Sequence, residues 1–355
     1  MLFPYTYIEH DMEKMQGYID FIFFELWCNA PSREYDISLF DPEPELKEII
    51  IEFHSKETQW GDFFVSKIQE IYNAFSSLES ARIAQLRQQY CANNDIKKLC
   101  ANHNESIPLQ YKELKKINRN LTILLKSFCE NLYNNDFLSL KTLSSRIGNI
   151  EDHYNEFMKV NQTGKCPFCG LTDVEGSHSA KREAYDHYVP KSVYPFNSIN
   201  FQNLAPMCHK CNSSYKTVND PIFDKSTKQR RKAFYVYMGQ DPEIKIEMEI
   251  EKTDIENLSP EDITLKISSD NFAEEVRTWM DVFGIEQRYK DKCTHKTDGS
   301  KYWYTQIMEE GLNVGISPEQ MLALQKQAAE KNPLADTNFL KKPFLEACRK
   351  LGLFG

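Results

Sequence analysis

Cys166-Pro167-Phe168-Cys169, Tyr185-Asp186-His187-Tyr188-Val189-Pro190-Lys191 and Asn203-Leu204-Ala205-Pro206-Met207-Cys208-His209-Lys210-Cys211-Asn212 follow one another within residues 166–212. The two Cys-x-x-Cys pairs lie 38 residues apart. Together they offer four thiolates, a set suited to a closed, tetrahedral structural zinc site with no position left for catalysis. A single pair arises readily by chance, whereas two pairs flanking one compact segment form a specific signal. The competing reading is four buried, unliganded thiols. Pro167, Gly170 and Pro206 favour the tight turns that such knuckles need. His209 lies inside the second pair but is surplus once four thiolates fill the site. Cys28, Cys91, Cys100, Cys129, Cys293 and Cys348 are unpaired in spacing and read as core residues.

The residues between the pairs carry a second pattern. Asp186-His187 lies between the pairs, Asn203 shortly precedes the second pair, and Asn212 follows the last cysteine. In order and spacing this resembles the HNH endonuclease superfamily, many members of which hold one zinc between two Cys-x-x-Cys knuckles. The resemblance covers the segment from the first knuckle to the residues just past the second, and it implies a ββα-metal module. It further implies His187 as general base, Asp186 and Asn212 as ligands of a catalytic Mg²⁺ or Mn²⁺, and Asn203 as the residue that orients the loop after His187. These types suit phosphodiester hydrolysis, since imidazole titrates near neutral pH and two oxygen donors leave a hard cation open to water and phosphate. Neighbouring strand residues face opposite ways, so Asp186 and His187 cannot share one role. Asn212 stands where many members have histidine, which makes this a His-Asn-Asn variant better suited to magnesium than to nickel or zinc catalysis.

The resemblance implies a DNA endonuclease, with double-stranded DNA as the favoured substrate and 5′-phosphate and 3′-hydroxyl products. At family level it also points to an effector of bacterial anti-phage defence working with a protein partner such as an ATPase or sensor subunit. The HNH component of Septu-type systems is the nearest comparison. A restriction or homing enzyme is the enzymatic runner-up. A zinc-ribbon module that binds nucleic acid or protein without cutting is the alternative from another class; it needs the cysteines but is indifferent to Asp186, His187 and Asn212.

Charge is distributed unevenly around this segment. Residues 164–232 carry eleven Lys and Arg against six Asp and Glu, a formal +5, so the remainder of the chain carries −14 of the total −9. Phosphate binding rests on such local excess, and Lys191, Lys216, Arg230 and Arg231 are the expected nucleic-acid contacts. His178 reads as an exposed loop residue.

Outward from the centre, the first 163 residues read as a helical recognition or assembly region. Trp60, Phe64, Ile68, Ile71 and Phe75 recur at helical steps, as do Leu114, Ile117, Leu121, Leu124, Phe128 and Leu132, and then Leu140, Leu143, Ile147, Ile150, Tyr154 and Phe157. Three amphipathic helices are predicted there. Residues 164–232 form the zinc-stapled module. In residues 233–355, Ile244, Ile246, Met248 and Ile250 alternate with charged residues, Ile263, Leu265 and Ile267 make a second strand, and Phe272, Val276, Trp279 and Phe283 return to helical spacing. Ser317-Pro318 with Gln320 opens a further helix. The fold class expected is α+β: a helical N-terminal region, a central ββα-metal module and a mixed C-terminal region. The most apolar stretch, Tyr18 to Cys28, is interrupted by Asp20 and Glu25 and falls short of the ~20 apolar residues of a membrane span. No secretory leader is evident, so a cytoplasmic protein with reduced thiols is expected.

Overall fold

The computed structural model describes residues 1–313 and 315–354. The chain is mixed α+β, with helices α1 (Lys14–Phe21), α2 (Pro44–Lys56), α3 (Gln59–Ser76), α4 (Ser80–Asn94), α5 (Ile96–Cys100), α6 (Tyr111–Ile117), α7 (Arg119–Leu132), α8 (Asn135–Leu138), α9 (Lys141–Ile147) and α10 (Ile150–Val160) before the first strand. The three predicted helical runs are therefore five helices. Asn118 interrupts the second run in extended conformation, its side chain capping Leu121 N. Gly148, at φ 73°, and the cap Asn149 divide the third. Apolar periodicity carries through such breaks because both helices present the same face to one core; only the cap residues mark the interruption.

Strands β1 (Tyr185–His187) and β2 (Leu204–Pro206) pair antiparallel with Asp186 opposite Ala205 and His187 opposite Leu204. A seven-residue π-helical segment, Lys210–Lys216, follows directly. β3 (Phe223–Asp224) and β4 (Gln229–Arg230) form a short ribbon. β5 (Lys245–Ile250) and β6 (Ile263–Ser268) pair as the alternating pattern predicts, Met248 facing Leu265. Helices α11 (Ala273–Phe283), α12 (Ile285–Cys293), α13 (Ser300–Thr305), α14 (Gly311–Asn313), α15 (Pro318–Lys331) and α16 (Asn338–Lys350) complete the order. α15 begins with the Ser317/Gln320 capping box. No helix among the described residues is long and apolar enough to cross a membrane.

The three sequence regions do not bury separate cores. One hydrophobic cluster runs from Met12, Phe23 and Trp27 through Phe128 and Phe157 to Phe168, Leu204 and Met207, and on to Trp279, Tyr289 and Phe344. The N-terminal tail joins the centre directly: Leu2 N donates to Pro167 O at 2.9 Å and Tyr5 OH to Pro206 O at 3.1 Å.

Candidate metal centre and catalytic face

Four buried sulfur atoms, those of Cys166, Cys169, Cys208 and Cys211, lie within 4.8 Å of one another. Cys169 and Cys208 Sγ stand 4.0 Å apart. A tetrahedral zinc with Zn–S near 2.3 Å sets sulfurs about 3.8 Å apart, whereas a disulfide needs about 2.05 Å, so the spacing fits a metal and not a cross-link. The first knuckle is closed by Cys166 N donating to Thr172 O at 2.9 Å and Gly170 N to Cys166 O at 2.7 Å. Gly170 has φ 67°, and a Cβ there would stand 2.2 Å from Leu2 Cδ1. Only glycine serves at this turn. Burial raises the Cys166 thiol, while hydrogen bonds from Cys166 and then from Cys208 and Cys211 lower that of Cys169. The four residues could hold a zinc-like ion, which would displace their protons.

The loop between β1 and β2 is organised by one amide. Asn203, 1% exposed, accepts from Val189 N at 2.8 Å through Oδ1 and donates through Nδ2 to Val189 O at 2.9 Å and Asn197 O at 3.3 Å. The loop passes through Phe196 at φ 79°, unusual for a bulky residue, with its ring held among Phe23 and Tyr90. The helical region braces the same loop: Asn93 donates to Pro195 O at 2.8 Å, Asn200 to Asn94 O at 2.9 Å, and Tyr111 N to Val193 O at 3.0 Å.

That loop positions His187. Its Nε2 lies 2.8 Å from Ser198 O, and because a carbonyl can only accept, Nε2 carries the proton. Nδ1 keeps its lone pair and makes no hydrogen bond among the described residues. The ring is half-buried and stands edge-on to Tyr133, with centroids 5.0 Å apart. Burial, and then the charge of Lys191, push its pKa down to about 3, against the hydrogen bond that the ring donates to Ser198 O. At neutral pH the imidazole is uncharged, and its pKa departs from the near-neutral titration expected of a general base.

Asp186, one residue earlier, faces a different partner. Its Oδ2 lies 2.8 Å from Lys216 Nζ, out of line for a hydrogen bond, and Lys216 Nζ donates to His187 O at 2.8 Å. Burial raises the carboxyl and Lys216 opposes that rise. Lys216 thereby docks the Lys210–Lys216 segment onto β1. Asn212 is half-buried, and its side chain makes no hydrogen bond among the described residues. Asp186 Oδ1 likewise makes none.

Of the four expected nucleic-acid contacts, the structure buries Lys216 and leaves Lys191, Arg230 and Arg231 half-buried. Lys216, expected on a phosphate, is 1% exposed and faces inward, because its ammonium meets Asp186 and a backbone carbonyl. Arg231 binds Asp281 at 2.6 Å and the carbonyls of Asp220 and Pro221. Lys191 donates to Glu130 O at 2.9 Å beside the Tyr133 ring. Arg230 reaches His103 O at 3.4 Å while its Nε and Nη2 are buried without partners. These long side chains brace the module. The exposed cations here are Lys181, Lys210, Lys225, Lys228 and Lys232. Cavities of about 730 Å³ beside Met280 and Lys290 and about 460 Å³ beside Phe24 and Arg87 are lined by none of the site residues.

Two participants carry no sequence signal. Ser198 acts through its backbone carbonyl, which no side-chain pattern marks. Tyr133 is distant in the chain. Comparison with protein-family models, curated proteins and solved structures gives no match.

Proposed function

We propose that the chain is a metal-dependent phosphodiesterase of the HNH type that cuts DNA, duplex DNA being the favoured substrate. The observation that carries this reading is His187: its Nε2 proton is held by Ser198 O, which leaves an unprotonated Nδ1 on a strand that also carries Asp186. A divalent ion held by Asp186 and Asn212 would supply charge neutralisation at the phosphate. His187 Nδ1 accepts a proton from a water as that water attacks phosphorus. The bond to the 3′ oxygen breaks, that oxygen takes a proton from solvent, and a 5′-phosphate and a 3′-hydroxyl remain. Asn203 supports the step by fixing the loop that carries Ser198.

Zinc at the four cysteines would be structural, holding the β1–β2 hairpin and the Lys210–Lys216 segment together. The acidic remainder of the chain favours contacts with a protein partner over further DNA contacts. A place in anti-phage defence, or as a restriction or homing enzyme, rests on the resemblance alone. One observation favours a zinc-stapled binding module without hydrolysis: the Asp186 carboxylate already has a cation, Lys216, in a nearly dry setting.

Plasmid nicking in Mg²⁺ or Mn²⁺ separates the two readings. The parent is expected to nick, and His187→Ala to lose at least about a hundredfold in rate, the usual scale for a general base, with zinc content and DNA affinity unchanged. Binding by the parent without cleavage, alone and with the protein encoded beside it, favours the binding module.

A further inference from the structure

A buried cation stands beside the sulfur cluster and comes from the far end of the chain. Arg288, on α12, is 3% exposed, and its Nη1 lies 3.2 Å from Cys211 Sγ. The same nitrogen donates to Phe283 O at 3.3 Å, and the guanidinium lies over the Tyr215 ring, 4.4 Å from its centroid. Nε and Nη2 have no partner, and among the described residues the group forms no ion pair with a carboxylate. A guanidinium stays charged, and a buried charge needs an opposite one. Among the described residues, the groups within its reach that can carry negative charge are the cysteine sulfurs.

We propose that Arg288 is the counter-ion of a metal–thiolate centre: its positive charge stabilises the dianion that four thiolates and one divalent ion make, and so raises the affinity of the site for metal. The inference rests on the cysteine cluster holding a metal and is independent of the hydrolase reading. Four thiolates around a divalent ion leave a net −2 in a site buried on every side, and one guanidinium in hydrogen-bond range halves that charge. The surrounding contacts show that α11 and α12 are built onto the centre. Trp279 Nε1 donates to Phe168 O at 2.8 Å and Tyr289 OH to Cys169 O at 3.0 Å, so both helices also grip the first knuckle through its carbonyls. Gly284 joins the two helices at φ 57°, and a Cβ there would come within 2.6 Å of Tyr215, so this glycine admits the ring on which Arg288 lies. Arg288 is a positioning and charge-balancing residue; it does not ligate the ion.

The test uses the full chain loaded with zinc. Zinc affinity is measured by competition with a chromophoric chelator, and the Co²⁺-substituted protein is read by its thiolate charge-transfer band. Arg288→Met removes the charge at similar length, Arg288→Lys keeps it, and Tyr215→Leu removes the stacking surface alone. Arg288→Met is expected to weaken zinc binding by about 10- to 100-fold, the usual cost of losing a partner around a metal site, and to shift the Co²⁺ band while four thiolates remain bound. Arg288→Lys and Tyr215→Leu are expected to stay within a few fold of the parent. If Arg288→Met does not fold, Arg288→Gln, which retains an amide donor without charge, carries the same expectation. Zinc affinity within twofold of the parent in a folded uncharged variant overturns the proposal, as does a lysine variant as weak as the methionine one, or a parent that takes up no zinc.

Discussion

Lys216→Met tests the buried ion pair that docks the Lys210–Lys216 segment onto β1. Lys216 and Asp186 are 1% and 7% exposed, and their charged atoms are 2.8 Å apart. Removing one member of such a pair strands the other charge in a nearly dry site, which costs about 3–5 kcal/mol. The same substitution also strips His187 O of its donor, an additional loss of about 1 kcal/mol. The burden falls on Asp186, whose carboxyl burial already raises while Lys216 opposes the rise. Without the ammonium the pKa climbs further, and the carboxyl can escape the penalty by taking a proton. The destabilisation is therefore expected to shrink on going from pH 7 to pH 5, by up to about 1.4 kcal/mol per pH unit while protonation proceeds. Asp186→Asn with Lys216→Met removes both charges, and its cost is expected to be smaller than the sum of the single changes by about 2 kcal/mol, within the range for residues in contact. Urea unfolding of the zinc-loaded protein, followed by tryptophan fluorescence at both pH values, measures all four corners of this cycle. A Lys216→Met loss below about 0.5 kcal/mol, well under the cost of a stranded charge, or additive behaviour of the pair, refutes the reasoning.

Asn203→Ala removes three hydrogen bonds and leaves Val189 N, Val189 O and Asn197 O without that partner; a loss of about 2–4 kcal/mol is expected, since orphaned buried groups cost more than a mean hydrogen bond. Asn203→Asp keeps only the acceptor and should fall between parent and alanine variant in the same denaturation assay, so an aspartate variant equal to the parent would show that the donated bonds contribute nothing. His153, 3% exposed, is pushed down to about 3 by burial and then by His10. Above about pH 6.5 neither the folded nor the unfolded ring holds a proton, whereas between 6.5 and about 3 the unfolded ring takes one that the folded ring refuses. Stability is thus expected to fall as pH drops through that window, with this residue contributing up to about 1.4 kcal/mol per pH unit, and His153→Phe should flatten the profile; parallel profiles for parent and variant between pH 7 and 4.5 would rule the contribution out.

Much of the local plan could be read without coordinates because it depends on short-range chemistry. Two Cys-x-x-Cys pairs announce a thiolate cluster because each knuckle is a single turn, and the four sulfurs do converge. The alternation from Ile244 to Ile250 is a strand because side chains on a pleated chain point to opposite faces, and it pairs with Ile263–Ser268. The capping box at Ser317 is likewise complete within four residues. Helix limits were harder: Asn118 and Gly148 break runs whose apolar spacing continues unbroken, since periodicity reports the face and not the cap.

What tertiary structure alone decided is where each charge ends. Lys216, Lys191 and Arg231 look like a phosphate-binding set along the sequence, yet each is engaged by a carboxylate or carbonyl supplied by another segment. Arg288 lies 77 residues beyond Cys211 and still meets its sulfur. A side chain's nearest neighbours in sequence are settled by bond geometry, but the partner of a long cationic side chain is settled by packing across the whole core, where desolvation favours a polar or oppositely charged partner. For the same reason the segments drawn apart by composition share one hydrophobic interior.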